Sequence, residues 1–204
     1  GRTYEPSTAE QWEAGLKFNP DGGRTNGSVT AYRILKDNVL TRDPNGSAYD
    51  QIQAGQVRSQ GVELEVSSRL TDSFKVDASY TRQDVEVTRD NSGLEGKTPV
   101  WVPEQMASLW LTYDIYAGLL NGLSINGGVR YLGEAEVDAL NSDEVPDVTL
   151  VDLGLSYDLG VAAQNLSGAT LRMSVSNLFD ERYYSCYDTL NCWFGAERSL
   201  QTSV

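Results

Sequence analysis

Apolar and polar residues alternate along most of the chain with a period of two. In the first clear segment, Trp12, Leu16 and Phe18 fall on one side of an extended chain, and Glu13 and Lys17 fall on the other. The alternation recurs in seven further segments, with apolar positions at Val62 and Leu64, Val76 and Tyr80, Leu109 and Leu111, Ile125 and Val129, Leu153 and Leu155, Leu171 and Met173, and Leu200 and Val204. A period of two is typical of β-strands that separate an apolar side from a wet side.

These segments, together with a less regular one around Tyr32 and Ile34, predict nine antiparallel strands and no substantial helix within them. The predicted strands cover residues 9–18, 24–40, 50–69, 74–88, 104–116, 123–133, 148–158, 169–183 and 195–204. The sequence has no run of eighteen apolar residues, so a membrane-spanning helix is excluded. A transmembrane β-barrel is not excluded, because its strands alternate between lipid-facing apolar and inward polar positions.

The connections between the predicted strands alternate between short and long. The short connections are 19–23, 70–73 and 117–122, and the long ones are 43–54, 89–103 and 133–147. Outer-membrane barrels have short periplasmic turns and long external loops, so this alternation predicts an all-β, up-and-down transmembrane barrel. The segment 159–168 is longer than a tight turn, and 184–195 falls on the external side. Asp43 to Ser47 is rich in oxygen ligands but lacks EF-hand spacing, so we predict a turn there.

Nine strands do not make a complete barrel. Single-chain bacterial barrels have even strand numbers, and an open sheet would leave two unpaired edges in lipid. The start at Gly1 also has the character of mid-sequence, with no signal peptide before it. We therefore expect residues 1–204 to be one part of a barrel domain that more protein completes.

Composition and charge narrow the chemistry. The chain has 29 acidic and 16 basic residues and a net charge of -13, which disfavours nucleic acid as a partner. It has no histidine, the commonest general base and metal ligand, which argues against an enzyme and against a resident metal. Two cysteines, Cys186 and Cys192, are too few for a structural zinc site. We predict that they form a disulfide outside the cell; the alternative is a pair of free thiols.

Aromatic residues provide the candidate binding groups. Tyr187, Trp193 and Phe194 flank the cysteines, and we predict that they contact a ligand; the alternatives are a membrane-interface girdle and simple loop packing. Aromatic residues close to predicted strand ends are expected to anchor the barrel at the membrane interface. These residues are Trp110, Tyr113, Tyr116, Tyr131 and Tyr157.

Four segments stand out in order along the chain: YEPSTAEQWEAGLKF at 4–18, GQVRSQGVELEV at 55–66, GKTPVWVPEQMASLW at 96–110 and NLFDERYYSCYDTLNCWFGAER at 177–198. Together they resemble the C-terminal barrel portion of TonB-dependent outer-membrane siderophore receptors of the ferrichrome-type, hydroxamate branch. The resemblance covers the chain from about Thr3 onward. The chain stops at Val204, whereas barrels of the family end on an aromatic residue, so we expect the natural protein to continue.

The resemblance implies a barrel of about twenty-two strands filled by an N-terminal plug, of which this chain is the last nine strands. It implies import of a ferric siderophore, with TonB contacting the missing N-terminal region, no intrinsic cofactor and no covalent chemistry. The protein is expected to be a monomer in the Gram-negative outer membrane, in contact with lipid and lipopolysaccharide. The resemblance also supports the disulfide, as a staple of the last external loop. Other cargo such as cobalamin or an oligosaccharide, and an unplugged passive pore or outer-membrane enzyme, remain alternatives.

Overall fold

The computed structural model describes residues 4–42 and 51–204, and these residues are mainly in β-strands. In chain order the strands are β1 (Thr8–Phe18), β2 (Thr25–Arg42), β3 (Gln51–Arg69), β4 (Phe74–Arg89), β5 (Gln105–Asp114), β6 (Leu123–Leu132), β7 (Ala135–Glu136), β8 (Glu144–Val145), β9 (Val148–Asp158), β10 (Thr170–Ser176), β11 (Tyr184–Asp188), β12 (Asn191–Phe194) and β13 (Ser199–Ser203). The predicted turn at Asp43 to Ser47 lies outside the described residues.

One antiparallel sheet, here called the main sheet, dominates the described residues, with nine strands in the order β1-β2-β3-β4-β5-β6-β9-β10-β13. Each strand pairs with the previous strand of the sheet along the chain, which confirms the predicted up-and-down arrangement. β1 and β13 are the two edges, so the described strands form an open sheet. The remaining strands form two small hairpins, β7–β8 and β11–β12.

Two strands near the end of the chain are shorter than predicted. The strand predicted over 169–183 ends at Ser176, and the one predicted over 195–204 begins at Ser199. Asn177 adopts a left-handed backbone with φ 52°, which ends the extended conformation directly after β10. The residues that follow leave the main sheet and enter the β11–β12 hairpin.

The apolar positions of successive strands lie opposite one another and form continuous rows across one face of the main sheet. One row joins, by direct pairing, Val76, Leu111, Gly127, Leu153, Val175 and Leu200. Leu64, Leu111, Leu153 and Met173 are all exposed, as predicted for a lipid-facing surface seen without its membrane. Such a contiguous exposed apolar face is typical of a surface that another apolar phase covers.

The opposite face of the main sheet is polar. One row of paired residues on this face joins Lys17, Ser28, Glu65, Ser79, Ser108 and Arg130. Within it, the hydroxyls of Ser79 and Ser108 are 2.8 Å apart. Arg130 donates from Nε to a carboxylate oxygen of Asp152 over 2.7 Å. A sheet with one apolar and one polar face is the arrangement expected of a barrel wall with a wet lumen.

Trp110 does not lie on the apolar face of the main sheet, and its prediction as a membrane-interface anchor is wrong. Strand alternation places it on the polar face, opposite Asp77 and Gly128, whereas its neighbours Leu109 and Leu111 are on the apolar face. Its indole covers the backbone of Gly128, because a Cβ built there would lie 2.4 Å from the indole Cδ2. Covering a strand glycine with a cross-strand aromatic ring stabilises the sheet at a position with no side chain.

The two ends of the main sheet differ as predicted. One end has the connections 19–24, 70–73, 115–122 and 159–169, and the last of these contains a short helix, α1 (Leu159–Ala162). The other end has the longer connections 90–104, 133–147 and 177–198, which include both small hairpins. Within the described part of the chain, no helix is long and apolar enough to cross a membrane.

Candidate ligand-binding site

The β11–β12 hairpin is closed by the two cysteines. Cys186 and Cys192 are directly opposite in the hairpin register, and a disulfide joins their sulfurs. The predicted disulfide is thus present, on the end of the main sheet with the long connections. Because an isolated two-stranded hairpin is marginally stable, the covalent link is well placed to keep this one ordered.

The turn of the hairpin is organised by Asp188. Its carboxylate accepts hydrogen bonds from the backbone N–H groups of Leu190 and Asn191 and from the side-chain amide of Asn191, at 2.8 to 2.9 Å. The Asn191 amide and the Leu190 N–H favour the ionised form and hold the pKa of Asp188 below its ordinary value. The tip of the hairpin is therefore built around a charged side chain at neutral pH.

Two of the predicted ligand-binding residues meet a third aromatic side chain from another connection. The Tyr187 ring lies 5.7 Å from the ring of Trp101, and the Trp193 ring lies 6.5 Å from it. Trp101 belongs to the connection between β4 and β5. All three side chains are exposed. We call Trp101, Tyr187 and Trp193 the aromatic cluster.

Phe194, the third predicted residue, lies apart from the aromatic cluster. It pairs with Tyr184 in the hairpin, and strand alternation places it with Cys192 on the face opposite Trp193. Its side chain is 83% exposed. Its role in ligand binding therefore stays a prediction, separate from that of Tyr187 and Trp193.

Trp101 was not among the site residues predicted from the sequence. It lies in the PVWVP sequence of residues 99–103, within one of the four segments that resemble the receptor family, and no binding role follows from that resemblance. Its contacts join connections that are more than eighty residues apart along the chain, and no local pattern encodes such a contact. Its backbone φ of 66° could not be anticipated either, because tryptophan has no preference for the left-handed region.

A cavity of about 320 Å³ lies beside the aromatic cluster. Its wall combines the β4–β5 connection, the β7–β8 hairpin and the β11–β12 hairpin, and includes Trp101, Pro103, Val145, Tyr184 and Cys186. The surface is largely apolar, as expected where an uncharged organic group is held. The long connections thus converge on one concave surface.

Acidic residues border this surface. Glu136 and Glu144 are directly opposite in the β7–β8 hairpin, and burial, followed by the charge of Glu144, raises the pKa of Glu136. Among residues 4–42 and 51–204, no group of three or more Asp, Glu or Cys side chains is arranged to hold a metal ion.

A buried asparagine fastens the base of the last long connection. The side-chain amide of Asn177, only 3% exposed, donates to the carbonyls of Glu181 and Ala196 at 2.9 and 3.1 Å. Its oxygen accepts the Glu181 N–H, and the nearby Asp180 carboxylate accepts the Arg198 N–H. The two ends of the connection, residues 177–181 and 196–198, are therefore joined to each other next to the main sheet.

Comparison with known proteins identifies relatives over the whole chain. The family model described as "TonB dependent receptor-like, beta-barrel" matches residues 1–178. The chain is 40% identical to the ferrioxamine B receptor of Salmonella typhimurium over 205 residues, which are 100% of this chain and 29% of that protein. It is 38% identical to the ferrichrome outer membrane transporter/phage receptor of Escherichia coli K12, covering 98% of this chain and 26% of that protein.

The fold of this chain is similar to a solved structure, that of the ferric preacinetobactin receptor of Acinetobacter baumannii. The TM-score is 0.79 and the sequence identity is 25%. The match covers 98% of this chain and 29% of that one. The chain therefore spans less than a third of the length of each of these proteins.

Proposed function

Because the chain belongs to the TonB-dependent receptor β-barrel family, we propose that the protein containing it binds and imports a ferric siderophore of the hydroxamate type. Residues 1–204 would supply the C-terminal part of the barrel domain in the outer membrane of a Gram-negative bacterium. The names of two relatives, a ferrioxamine B receptor and a ferrichrome transporter, support a hydroxamate ligand.

The main support for the proposal is the aromatic cluster, which lies at the end of the main sheet that has the long connections. Ferric hydroxamates are compact and largely uncharged, and such a ligand is held by apolar and aromatic surface with few polar groups. The cluster offers that surface, on a hairpin that a disulfide closes. We assign Tyr187 and Trp193 to direct ligand contact, and Phe194 to a second contact on the other hairpin face.

The remaining partners follow from the family. We propose that TonB engages a region of the receptor outside this chain and drives release of the ligand inward. The apolar face of the main sheet would contact membrane lipid, with lipopolysaccharide around the external strands, and the receptor would act as a monomer. Transport in this scheme needs no covalent step, so we propose a receptor and transporter with no catalytic activity and no cofactor besides its ferric cargo.

Calorimetric titration of the complete receptor in detergent tests the site assignment. Ferrichrome and ferrioxamine B are the probes, and a ferric catecholate is the comparison. Tyr187→Ala and Trp193→Ala should each weaken hydroxamate binding by about 1 to 2 kcal/mol, the scale of one buried aromatic contact. Unchanged affinity in both variants would remove the site assignment, and tight binding of catecholates alone would overturn the hydroxamate class.

A further inference from the structure

Trp101 has an unusual backbone for an exposed bulky residue. Its φ of 66° lies in the left-handed region, which costs a non-glycine residue of order 1 to 3 kcal/mol. The side chain is 54% exposed, so burial of the indole offsets little of that cost within the described chain. Strained residues of this kind persist where the surrounding structure fixes them, and they cluster at functional sites.

The segment around Trp101 is fixed from both sides. Pro99 and Pro103 lie two residues before and two residues after Trp101 and restrict the backbone on both sides of it. Thr98 exchanges two hydrogen bonds with the side chain of Asn141, each 2.8 Å long, which ties the segment to the connection between β6 and β9. The restricted loop therefore holds the Trp101 indole in place beside Tyr187 and Trp193.

On this basis we propose that Trp101 is a further ligand-contacting residue, a pre-positioned aromatic platform on which the ferric hydroxamate rests beside Tyr187 and Trp193. This inference rests on the proposed function. The rings of Tyr187 and Trp193 are inclined to the Trp101 ring by 43° and 63°, so the cluster is an angled wall rather than a stack. An angled wall leaves ring faces open to a ligand and suits a rounded chelate better than a flat one.

Because its loop is braced, Trp101 gives up little conformational freedom on binding. Binding energy is lost when mobile side chains and loops must be ordered, and a platform fixed beforehand avoids that loss. Asn141 is the positioning residue in this scheme, since it holds Thr98 and does not itself join the cluster.

The test uses the complete receptor and calorimetry with ferrioxamine B and ferrichrome, which avoids the fluorescence change caused by removing a tryptophan. Trp101→Ala should raise Kd about tenfold, Trp101→Phe should raise it no more than about threefold, and Trp101→Gly, which accepts a positive φ, should match Trp101→Ala. Leu190→Ala, at a 92% exposed position on the tip of the same hairpin, is the control and should stay within about twofold of the parent Kd.

A background without both hairpin aromatics separates ligand contact from support of the hairpin. If Trp101 touches the ligand, adding Trp101→Ala to the Tyr187→Ala, Trp193→Ala variant weakens binding further. If the triple variant equals the Tyr187→Ala, Trp193→Ala variant, Trp101 acts only by holding Tyr187 and Trp193, and the inference is overturned. Weakened binding in Tyr187→Ala and Trp193→Ala with a normal Kd in Trp101→Ala also overturns it and leaves the proposed function intact.

Asn141→Ala tests whether the hydrogen bonds between Asn141 and Thr98 hold the Trp101 loop in place. It should raise Kd with a less favourable entropy of binding, because the loop must then be ordered by the ligand, and Asn141→Ala in the Trp101→Ala background should add nothing. An equal effect of Asn141→Ala in both backgrounds would contradict positioning through Trp101.

Discussion

The Asp152 carboxylate accepts the backbone N–H of Asn177 over 2.9 Å, and this buried contact joins the wall of the main sheet to the start of the last long connection. Asp152 is also held by Arg130, on the polar face of β6. Asn177 in turn fastens both ends of the connection. The position of the β11–β12 hairpin is thereby defined relative to the barrel wall.

Asn177→Gly is the variant that tests this fastening. Glycine accepts the positive φ of this position but removes the three side-chain hydrogen bonds, all of which are partly buried. Limited proteolysis of residues 178–198 should accelerate about tenfold, the equivalent of about 1.4 kcal/mol. Asn38→Gly, another asparagine with positive φ, is the control and should leave this cleavage unchanged. Equal cleavage in both variants would argue against the fastening role.

Gly128 is expected to tolerate no side chain while Trp110 covers it. Gly128→Ala places a methyl group against the indole, and overpacking of this kind costs about 1 to 3 kcal/mol of unfolding free energy. Denaturant unfolding of the receptor in lipid vesicles measures the loss. In a Trp110→Ala background the same change should be nearly neutral, and an equal loss in both backgrounds would contradict the packing described.

The two faces of β5 should respond differently to charge. Leu111→Arg puts a cation on the apolar face and should cost about 2 to 4 kcal/mol if the residue lies near the membrane midplane. Thr112→Arg puts the same side chain at the next residue, on the polar face, and should reduce the free energy of unfolding far less. Unfolding in lipid vesicles compares the two variants, and similar losses would contradict the lipid-facing assignment.

The disulfide should matter more to the ligand than to the barrel. Cys186→Ser combined with Cys192→Ser frees a hairpin that lies outside the ladder of the main sheet, so hydroxamate Kd should rise while the denaturation midpoint of the barrel stays the same. The parent receptor treated with reductant should bind like this variant. An unaltered Kd, or a large fall in the denaturation midpoint, would refute the prediction.

The hairpin tip should loosen only in acid. The pKa of Asp188 is lowered in the folded state, so its stabilising contribution is complete above the ordinary aspartate range and is lost as the pH falls through the lowered value. Hydrogen exchange of residues 184–194, corrected for intrinsic rates, should therefore be constant from pH 7 to about pH 5. Asp188→Ala should exchange faster throughout that range, and identical exchange in parent and variant would rule out the role of Asp188.

The strands could be predicted from the sequence because the apolar positions of each repeat every second residue along one face, as Leu109, Leu111 and Tyr113 show. The β7–β8 and β11–β12 hairpins were not predicted, because they are short and depend on turn contacts such as those of Asp188. The early end of β10 depends on the buried amide of Asn177, a tertiary feature. Trp110 was assigned to the membrane interface from its residue type, although strand alternation alone places it on the polar face.

The aromatic cluster could be predicted from the sequence only in part. Tyr187 and Trp193 are close to the cysteines in sequence and were candidates for that reason, and their contact with a ligand stays a prediction. Trp101 reaches them only through the folded arrangement of separate connections. Phe194 shares their sequence neighbourhood but lies on the other face of the hairpin, which only the register reveals.

Ferric siderophore uptake by the complete receptor is the most direct test of the proposed function. Cells that lack their own hydroxamate receptors, carry this one and grow under iron chelation would be supplied with radioactive iron as ferrichrome, ferrioxamine B or a ferric catecholate. We expect energy-dependent accumulation of iron from at least one hydroxamate, reduced in Trp193→Ala and unaffected in Leu190→Ala. Accumulation from the catecholate alone, or no uptake of any ferric chelate by a receptor that is present and folded in the outer membrane, would contradict the proposed function.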